Sequence, residues 1–536
     1  MRDGLRPRRQ PPSPAKETKA AGSGPNTSKK RKLAGHQRRE EVPTAAVGLH
    51  IHGEVLAPPP GALDPKSTGK PPAGGEVDGG AVDRISNLHD DNLRHIVSLL
   101  PVKDGARTQI LASRWRHLWR SAPLNLDYRE FPSGCLPPYI DSRIDVISHI
   151  LSSHPGPGRR FCIEPCYLHA PEATVDAWLR SAALDKLQEL ETGSTICIDP
   201  PPASTFRFSA TLCVATLGKC SLPDDIVQGL HFPLLKQLGL DSVRITEFSL
   251  HRLIAGCTPA LECLLIDRCS GFRSVRINSL SLISIGVRPE CYCAIPFREL
   301  IIENTPCLER LLHLDFSIGI HVSIVSAPKL QTLGCLSDVT LPTFAESLSG
   351  TSGGFRNSDQ DRLPMFVFGS TVIKGPRVDK LTTAVCTVKT LAVQMGTLSL
   401  DTVIELMRCF PSLEKMYIQP RSEGENNVWR RKHRDFIRSF DIPIKTIALE
   451  CYEGSKSEVD FVTFFVLNAR LLELMTFHIQ SHVYTEEFFA EQHRELQLEK
   501  KASKGAQFHF TVGRCVRSVW TMRHVRDLGL IDPFAC

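Results

Sequence analysis

Between Asp83 and Asp127 the apolar residues are spaced as on short helices. Leu93, Ile96, Val97 and Leu100 fall at i, i+3, i+4 and i+7, which gathers four apolar groups on one helical face. Asp90 and Asp91 stand where carboxylates favour a helix start, and Pro101 stops the run. A second short helix is expected over Asp104–Leu111, with Ala106, Ile110 and Leu111 turned inward. A third follows Ser113, with Trp115, Leu118 and Trp119 on one face. Three helices in about forty residues enclose too little apolar volume to be robust alone. A partner, or the domain behind them, is expected to complete their burial.

Beyond about residue 180 the rhythm changes to a recurring L-x-x-L-x-L phrase. It reads Leu235-x-x-Leu238-x-Leu240, Leu261-x-x-Leu264-x-Ile266 and Leu280-x-x-Ile283-x-Ile285. Later copies are Leu330-x-x-Leu333-x-Cys335, Val388-x-x-Leu391-x-Val393, Leu413-x-x-Met416-x-Ile418 and Ile444-x-x-Ile447-x-Leu449. The first steps are roughly 19–26 residues, close to the ~20–29 of leucine-rich repeats. Alternating apolar residues make a short strand, and the leading residue packs beneath it. One repeat cannot bury that face alone, so neighbours must stack into a solenoid. Thr258-Pro259, Thr305-Pro306 and Ala327-Pro328 open connectors where a regular repeat would have its outer helix.

The polar stretches divide the chain. Residues 1–80 are rich in Pro, Gly, Ala, Lys and Arg without Phe, Tyr or Trp, a composition that implies disorder. Lys29, Lys30, Arg31 and Lys32 within it read either as a nuclear-import signal or as a solvated basic tail. Gly350–Asp361 is rich in Gly, Ser, Asn and Asp and reads as a surface loop interrupting the array. The expected organisation is a tail (1–80), the helical module (83–127), repeats (135–341), a loop (342–365), further repeats (366–440) and a C-terminal region (441–536).

Composition narrows the function classes. The 64 Lys and Arg against 58 Asp and Glu give a net charge of +6, concentrated in the tail, which is too mild to mark a nucleic-acid binder. No apolar leader opens the chain and no apolar run of about eighteen residues follows, so a soluble chain of the nucleus or cytoplasm, with no membrane contact, is expected. Its 18 cysteines should then be reduced. No cofactor is indicated. Gly69-Lys70 lacks the rest of a P-loop, and no H-E-x-x-H occurs. Gly350-Thr351-Ser352-Gly353-Gly354 fits G-x-S-x-G but lies in a polar low-complexity stretch, without the strand and helix a nucleophile elbow needs. Cys291-Tyr292-Cys293 has no C-x-x-C to complete a zinc site, and Cys257, Cys263 and Cys269 suit half-buried repeat positions.

Three runs carry a family resemblance. Asp83-Arg84-Ile85-Ser86-Asn87-Leu88-His89-Asp90-Asp91 resembles the opening of a plant F-box, usually D-R-I-S-x-L-P-D-D. Leu99–Thr108 resembles its middle and Leu111–Asp127 its end. Ile444–Leu449, Leu471–Met475 and the ending Arg526–Phe534 resemble plant F-box proteins with leucine-rich repeats and a C-terminal FBD domain. The implied fold is α/β: a three-helix F-box followed by an irregular leucine-rich-repeat solenoid.

The resemblance implies a non-catalytic substrate receptor of a cullin-based ubiquitin ligase. Its F-box would dock on a Skp-type adaptor, and through it a cullin, while the repeats hold an unknown target protein. By motif match, adaptor contact falls to Leu88, His89, Leu93, Ile96, Leu100, Pro101, Leu111 and Trp115, with core packing the competing role for each leucine. Trp119 could instead join the F-box to the repeats. His89 replaces the usual proline, removing a rigid turn. The alternative is therefore a repeat scaffold whose F-box is weakened or non-functional.

Overall fold

The computed structural model describes residues 85, 87–131, 139–163, 170–193, 200–290, 293, 295–314, 319–338, 363–422, 427–480, 485–513, 522 and 524–534. Lys29–Lys32, Gly350–Asp361 and the Cys291-Tyr292 step lie outside them.

Three helices open the described chain: α1 (Asp90–Leu99), α2 (Val102–Arg107) and α3 (Ser113–Ser121). Leu93 and Val97 of α1 and Leu118 of α3 are buried, as their helical spacing requires. The second helix departs from expectation. It stops at Arg107 and is followed by one 3-10 turn, Thr108–Ile110. Its inward positions are Val102 and Gly105, while Ile110 and Leu111 are 84% and 65% exposed. Gly105 is needed there because a Cβ would stand 2.7 Å from the Trp119 ring.

After α3 the chain builds one parallel sheet of fourteen strands in which each strand pairs with the next along the chain. Its first half comprises β1 (Leu124–Asp127), β2 (Gly158–Ile163), β3 (Glu189–Gly193), β4 (Val214–Gly218), β5 (Gln237–Asp241), β6 (Cys263–Cys269) and β7 (Ser284–Pro289). The second half is β8 (Arg310–His313), β9 (Thr332–Ser337), β10 (Thr390–Thr397), β11 (Lys415–Ser422), β12 (Thr446–Leu449), β13 (Leu474–Ile479) and β14 (Gln507–Val512). The fold is α/β, as expected. Neither expected subdivision of the array interrupts the sheet. β9 pairs directly with β10, setting Leu333 opposite Leu391, and β11 pairs with β12, setting Met416 opposite Ile447. The F-box match also ends inside the sheet, since β1 is its edge strand.

The repeated phrase marks these strands for a physical reason. Leu235, Leu238 and Leu240 are all buried on one side of β5, as are Leu261, Leu264 and Ile266 at β6. The third copy is displaced by two residues. Leu280 is 70% exposed, and the buried set at β7 is Leu282, Ile285 and Val287. The register shifts within β9, so that Leu330, Leu333 and Leu336 face the main core while Cys335 turns to the opposite side. Weaker copies fill the gaps, with Leu187 and Leu190 at β3, Leu212, Ala215 and Leu217 at β4, Leu308 and Leu311 at β8, and Leu472, Met475 and Phe477 at β13.

The return connections differ along the array. Helices α4 (Glu172–Leu179) and α5 (Glu247–Gly256) lie in its first half, α6 (Leu400–Cys409) and α7 (Lys456–Asn468) in its second. The middle repeats return through a second sheet instead. There Ser274–Asn278, Glu299–Asn304, His321–Ile324 and Met365–Phe368 pair in parallel, and two antiparallel strands follow. Val275, Ile277, Leu300, Ile302, Val322 and Phe366 are buried there at period-two spacing, so strands rather than helices stand before Thr305-Pro306 and Ala327-Pro328, whereas Thr258-Pro259 follows helix α5. Helix α7 starts with a capping box: Ser455 Oγ accepts from the Glu458 N–H, and Glu458 Oε2 accepts from the Ser455 N–H at 2.9 Å.

Candidate protein-interaction site

The first helix owes its start to His89. Its Nδ1 accepts from the Asp91 N–H at 3.4 Å, so His89 is the N-cap, with φ −64° and ψ 148°. Arg114 of α3 clamps the same end, donating to Asp90 Oδ1 from Nε at 2.8 Å and to the Leu88 carbonyl at 2.7 Å. The module is tied to the repeats by polar and apolar bonds together. Glu130 Oε2 accepts from the Val102 N–H at 2.7 Å, and Asn125 donates to the Leu100 carbonyl at 3.0 Å. Val102, Leu124 and Leu126 lie in the repeat core, and Trp119 packs against it, edge-on to His154 at 5.8 Å.

Among its exposed residues the module also carries a set of large apolar side chains. Ile85, Ile96, Leu99, Ile110 and Leu111 are 59, 40, 51, 84 and 65% exposed. Pro101 and His89 are exposed as well, and Leu88, Leu100 and Trp115 are half-buried. Leu93 is wholly buried and packs inside the module, which corrects its place among the expected contact residues. Ile85, Leu99 and Ile110, outside that expected set, are exposed as well. Leu99 follows Ile96 by three residues and so starts a second apolar stripe on α1, a signal present in the sequence. Ile110 and Leu111 are adjacent at the end of a 3-10 turn, where neither finds cover.

Behind the module lies a network of charges. Arg129 binds Asp127 at 2.7 Å and Glu191 at 3.1 Å, and Arg160 reaches Asp127 at 3.1 Å, Glu191 at 3.3 Å and Glu189 at 3.4 Å. His524, near the other end of the chain, binds Glu191 through Nδ1 at 3.2 Å, and Arg526 pairs with Glu189. Burial would raise the Asp127 carboxyl, but bonds from Arg129 and Arg160 outweigh it and hold it at about 2. Burial is likewise overcome at Glu191, which His524 and Arg129 hold at about 2. The bond to Glu191 in turn raises His524 above its ordinary value, against partial burial.

From His524 the chain crosses the sheet on the side opposite the main core. Met522, Val525, Leu528 and Phe534 form a separate apolar cluster with Cys263, Leu265, Leu312, Leu314, Cys335 and Ala392. Arg288 donates to the Met522 carbonyl at 2.9 Å and Arg310 to the Leu528 carbonyl at 3.0 Å. Asp532 accepts from Lys415 and from the Tyr417 hydroxyl, each at 2.9 Å, and the Tyr417 and Phe534 rings lie 5.5 Å apart.

Thiol chemistry is damped at buried positions of the array. Burial pushes Cys220 and Cys257 up to about 12 and Cys263 up to about 11, so these thiols stay protonated near neutral pH and are poor nucleophiles.

A family model described as "FBD-associated F-box protein At5g56370, LRR repeats" matches residues 175–345 and 358–418, and an FBD model matches 434–477. The repeat match takes in β3 to β10 and the start of β11, and the FBD match holds β12, α7 and most of β13. The chain is similar to At5g56390 of Arabidopsis thaliana, described as an FBD-associated F-box protein, at 27% identity over 74% of this chain and 91% of that one. A second, the FBD-associated F-box protein At5g60610 of the same plant, is 23% identical over 73% of this chain and 98% of its own. A third, the F-box/FBD/LRR-repeat protein At5g56420, is 30% identical over 43% of this chain and 54% of its own. With an F-box-like helical module, a stacked repeat sheet and an FBD segment following in that order, the chain belongs to the plant F-box/leucine-rich-repeat/FBD family.

Proposed function

We propose that this chain is the substrate-recognition subunit of a cullin-based ubiquitin ligase and catalyses nothing itself. Its helical module seats a Skp-type adaptor, which ties it to a cullin, and its repeats hold the target protein. The observation that carries this reading is the exposed apolar set Ile85, Ile96, Leu99, Ile110 and Leu111 on a module whose other face is anchored to the repeats. Large apolar side chains gathered on so small a module favour a protein partner. The competing reading, a scaffold with a decayed F-box, drew on the loss of proline at position 89. His89 has a φ of −64°, the value proline itself adopts, and it caps α1, so the entry turn survives the replacement. Lys29–Lys32 is assigned nuclear import, with cytoplasmic residence when that run is masked; replacing all four by alanine is expected to abolish nuclear accumulation of a fluorescent fusion. The ligase reading is tested by the association of the intact chain with a purified Skp-type adaptor. Micromolar or tighter binding is expected, with cullin recruited only when the adaptor is present. No association at that level contradicts it.

A further inference from the structure

The strap formed by residues 522 and 524–534 is held in a manner unlike the rest of the array. Among the described residues, its backbone-to-backbone hydrogen bonds are internal to a 3-10 turn over Val525–Gly529, as from Asp527 N–H to the His524 carbonyl and from Leu530 N–H to the Asp527 carbonyl. It adds no strand to the sheet. Side chains hold it instead, and its apolar cluster is separate from the main core. Two glycines open notches for it. A Cβ on Gly286 would stand 2.7 Å from Leu528 Cδ2, and one on Gly334 would stand 2.7 Å from Phe534 Cζ. Arg288 and Arg310 hold main-chain carbonyls, which every peptide carries, and Lys415 with Tyr417 holds one carboxylate. The strap thus spans β3 to β11 with two apolar anchors six residues apart and an acid two residues before the second.

We propose that this side of the sheet, notched at Gly286 and Gly334 and flanked by Arg288, Arg310, Lys415 and Tyr417, is a binding channel for a short segment of a partner protein that enters with one 3-10 turn as the strap does. The partner segment carries the strap's own chemistry: a large aliphatic side chain, an aromatic one six residues later, and a carboxylate two residues before the aromatic. Residues 522–534 are the resident occupant, and the partner displaces them. That the partner is the ligase target rests on the function proposed above; the channel itself does not.

The test uses the full-length chain and a fluorescent peptide of the sequence Val525–Phe534. Against the unaltered chain the peptide competes with the tethered strap and binds weakly. In the full chain carrying Leu528→Ala and Phe534→Ala, the resident loses both anchors, and peptide affinity is expected to rise at least tenfold. Adding Gly286→Leu to that variant fills one notch and should return affinity to the unaltered level. In the unaltered chain, strap amides from Asp527 to Leu530 should exchange with solvent faster than those of β6 to β9. Equal peptide affinity for the unaltered and doubly substituted chains overturns the proposal. So does loss of cooperative unfolding in the double variant, or strap exchange only through global unfolding, since either makes the strap an integral layer of the fold. Adaptor binding, read on the same samples, should not change. Its absence from all of them would count against the ligase reading and leave the channel standing.

Discussion

The F-box module and the repeat array solve the same burial problem with opposite results. Of the sixteen large apolar residues exposed among the described residues, five lie between Ile85 and Leu111, and the others are scattered over the long remainder. Each repeat strand is covered by a neighbour, and both sides of the middle of the sheet are filled, one by the main core and the other by the strap. The module has no such neighbour on its outer side. Its inward side chains are committed to the repeats through Val102, Leu124 and Trp119, and its remaining apolar groups face water. The difference teaches where to look for cost: in the array a substitution should be felt as stability, in the module as binding.

The largest effect is expected inside the array. Leu264 is wholly buried near the start of β6, and Leu264→Ala should lower unfolding stability by about 2–5 kcal/mol in denaturant titration, with adaptor affinity retained while the chain is folded. Next comes the seam between the two regions. Glu130→Ala leaves the half-buried Val102 N–H without its carboxylate and should cost about 1–3 kcal/mol, read as faster hydrogen exchange in α2 with the array unchanged.

A smaller effect depends on pH. Glu191 is held at about 2, so its contribution is present above its unfolded value and fades as pH falls through about 2. His524 is raised by Glu191, so its contribution is full below its unfolded value and is lost as pH rises through the raised one. The pair should hold the strap best between about pH 5 and 6.5, the window between the unfolded values of the two groups. Strap exchange measured across that range should slow there and speed up on the alkaline side, and Glu191→Gln should remove the alkaline dependence.

The smallest effect is expected at His89. His89→Pro removes a cap but suits the φ of −64°, so the two changes should cancel to within about 1 kcal/mol by thermal unfolding. A large loss would show that the histidine does more for the module than start a helix.

Much of the fold was legible because repetition averages out local error. Five of the seven phrases sit in register on strands of the main sheet because each needs the same leading residue and the same alternating pair beneath a neighbour, and the fourth slips at Cys335. The third was displaced because Leu280 and Ile283 imitate the spacing that Leu282, Ile285 and Val287 satisfy. The second sheet is hidden because the prolines break the helical pattern while the short period-two runs before Thr305-Pro306 and Ala327-Pro328 are what form its strands. The module's helices were legible from spacing, its outward residues only in part. Spacing states which side chains share a face, and only the packed neighbours decide whether that face is covered, which is why Leu93 is inside while Ile110 and Leu111 are outside. The strap was invisible for a further reason. Leu528, Asp532 and Phe534 gain their meaning from Gly286, Gly334 and Lys415, residues far away in sequence.

The most direct test replaces Ile110 and Leu111 together by aspartate in the full-length chain and measures both unfolding stability and affinity for a purified Skp-type adaptor. Both side chains are already largely in water, so stability should move by no more than about 0.5 kcal/mol. Adaptor affinity should fall at least tenfold, because two carboxylates would have to be buried at the contact. Adaptor binding that survives the double substitution unchanged would contradict the account.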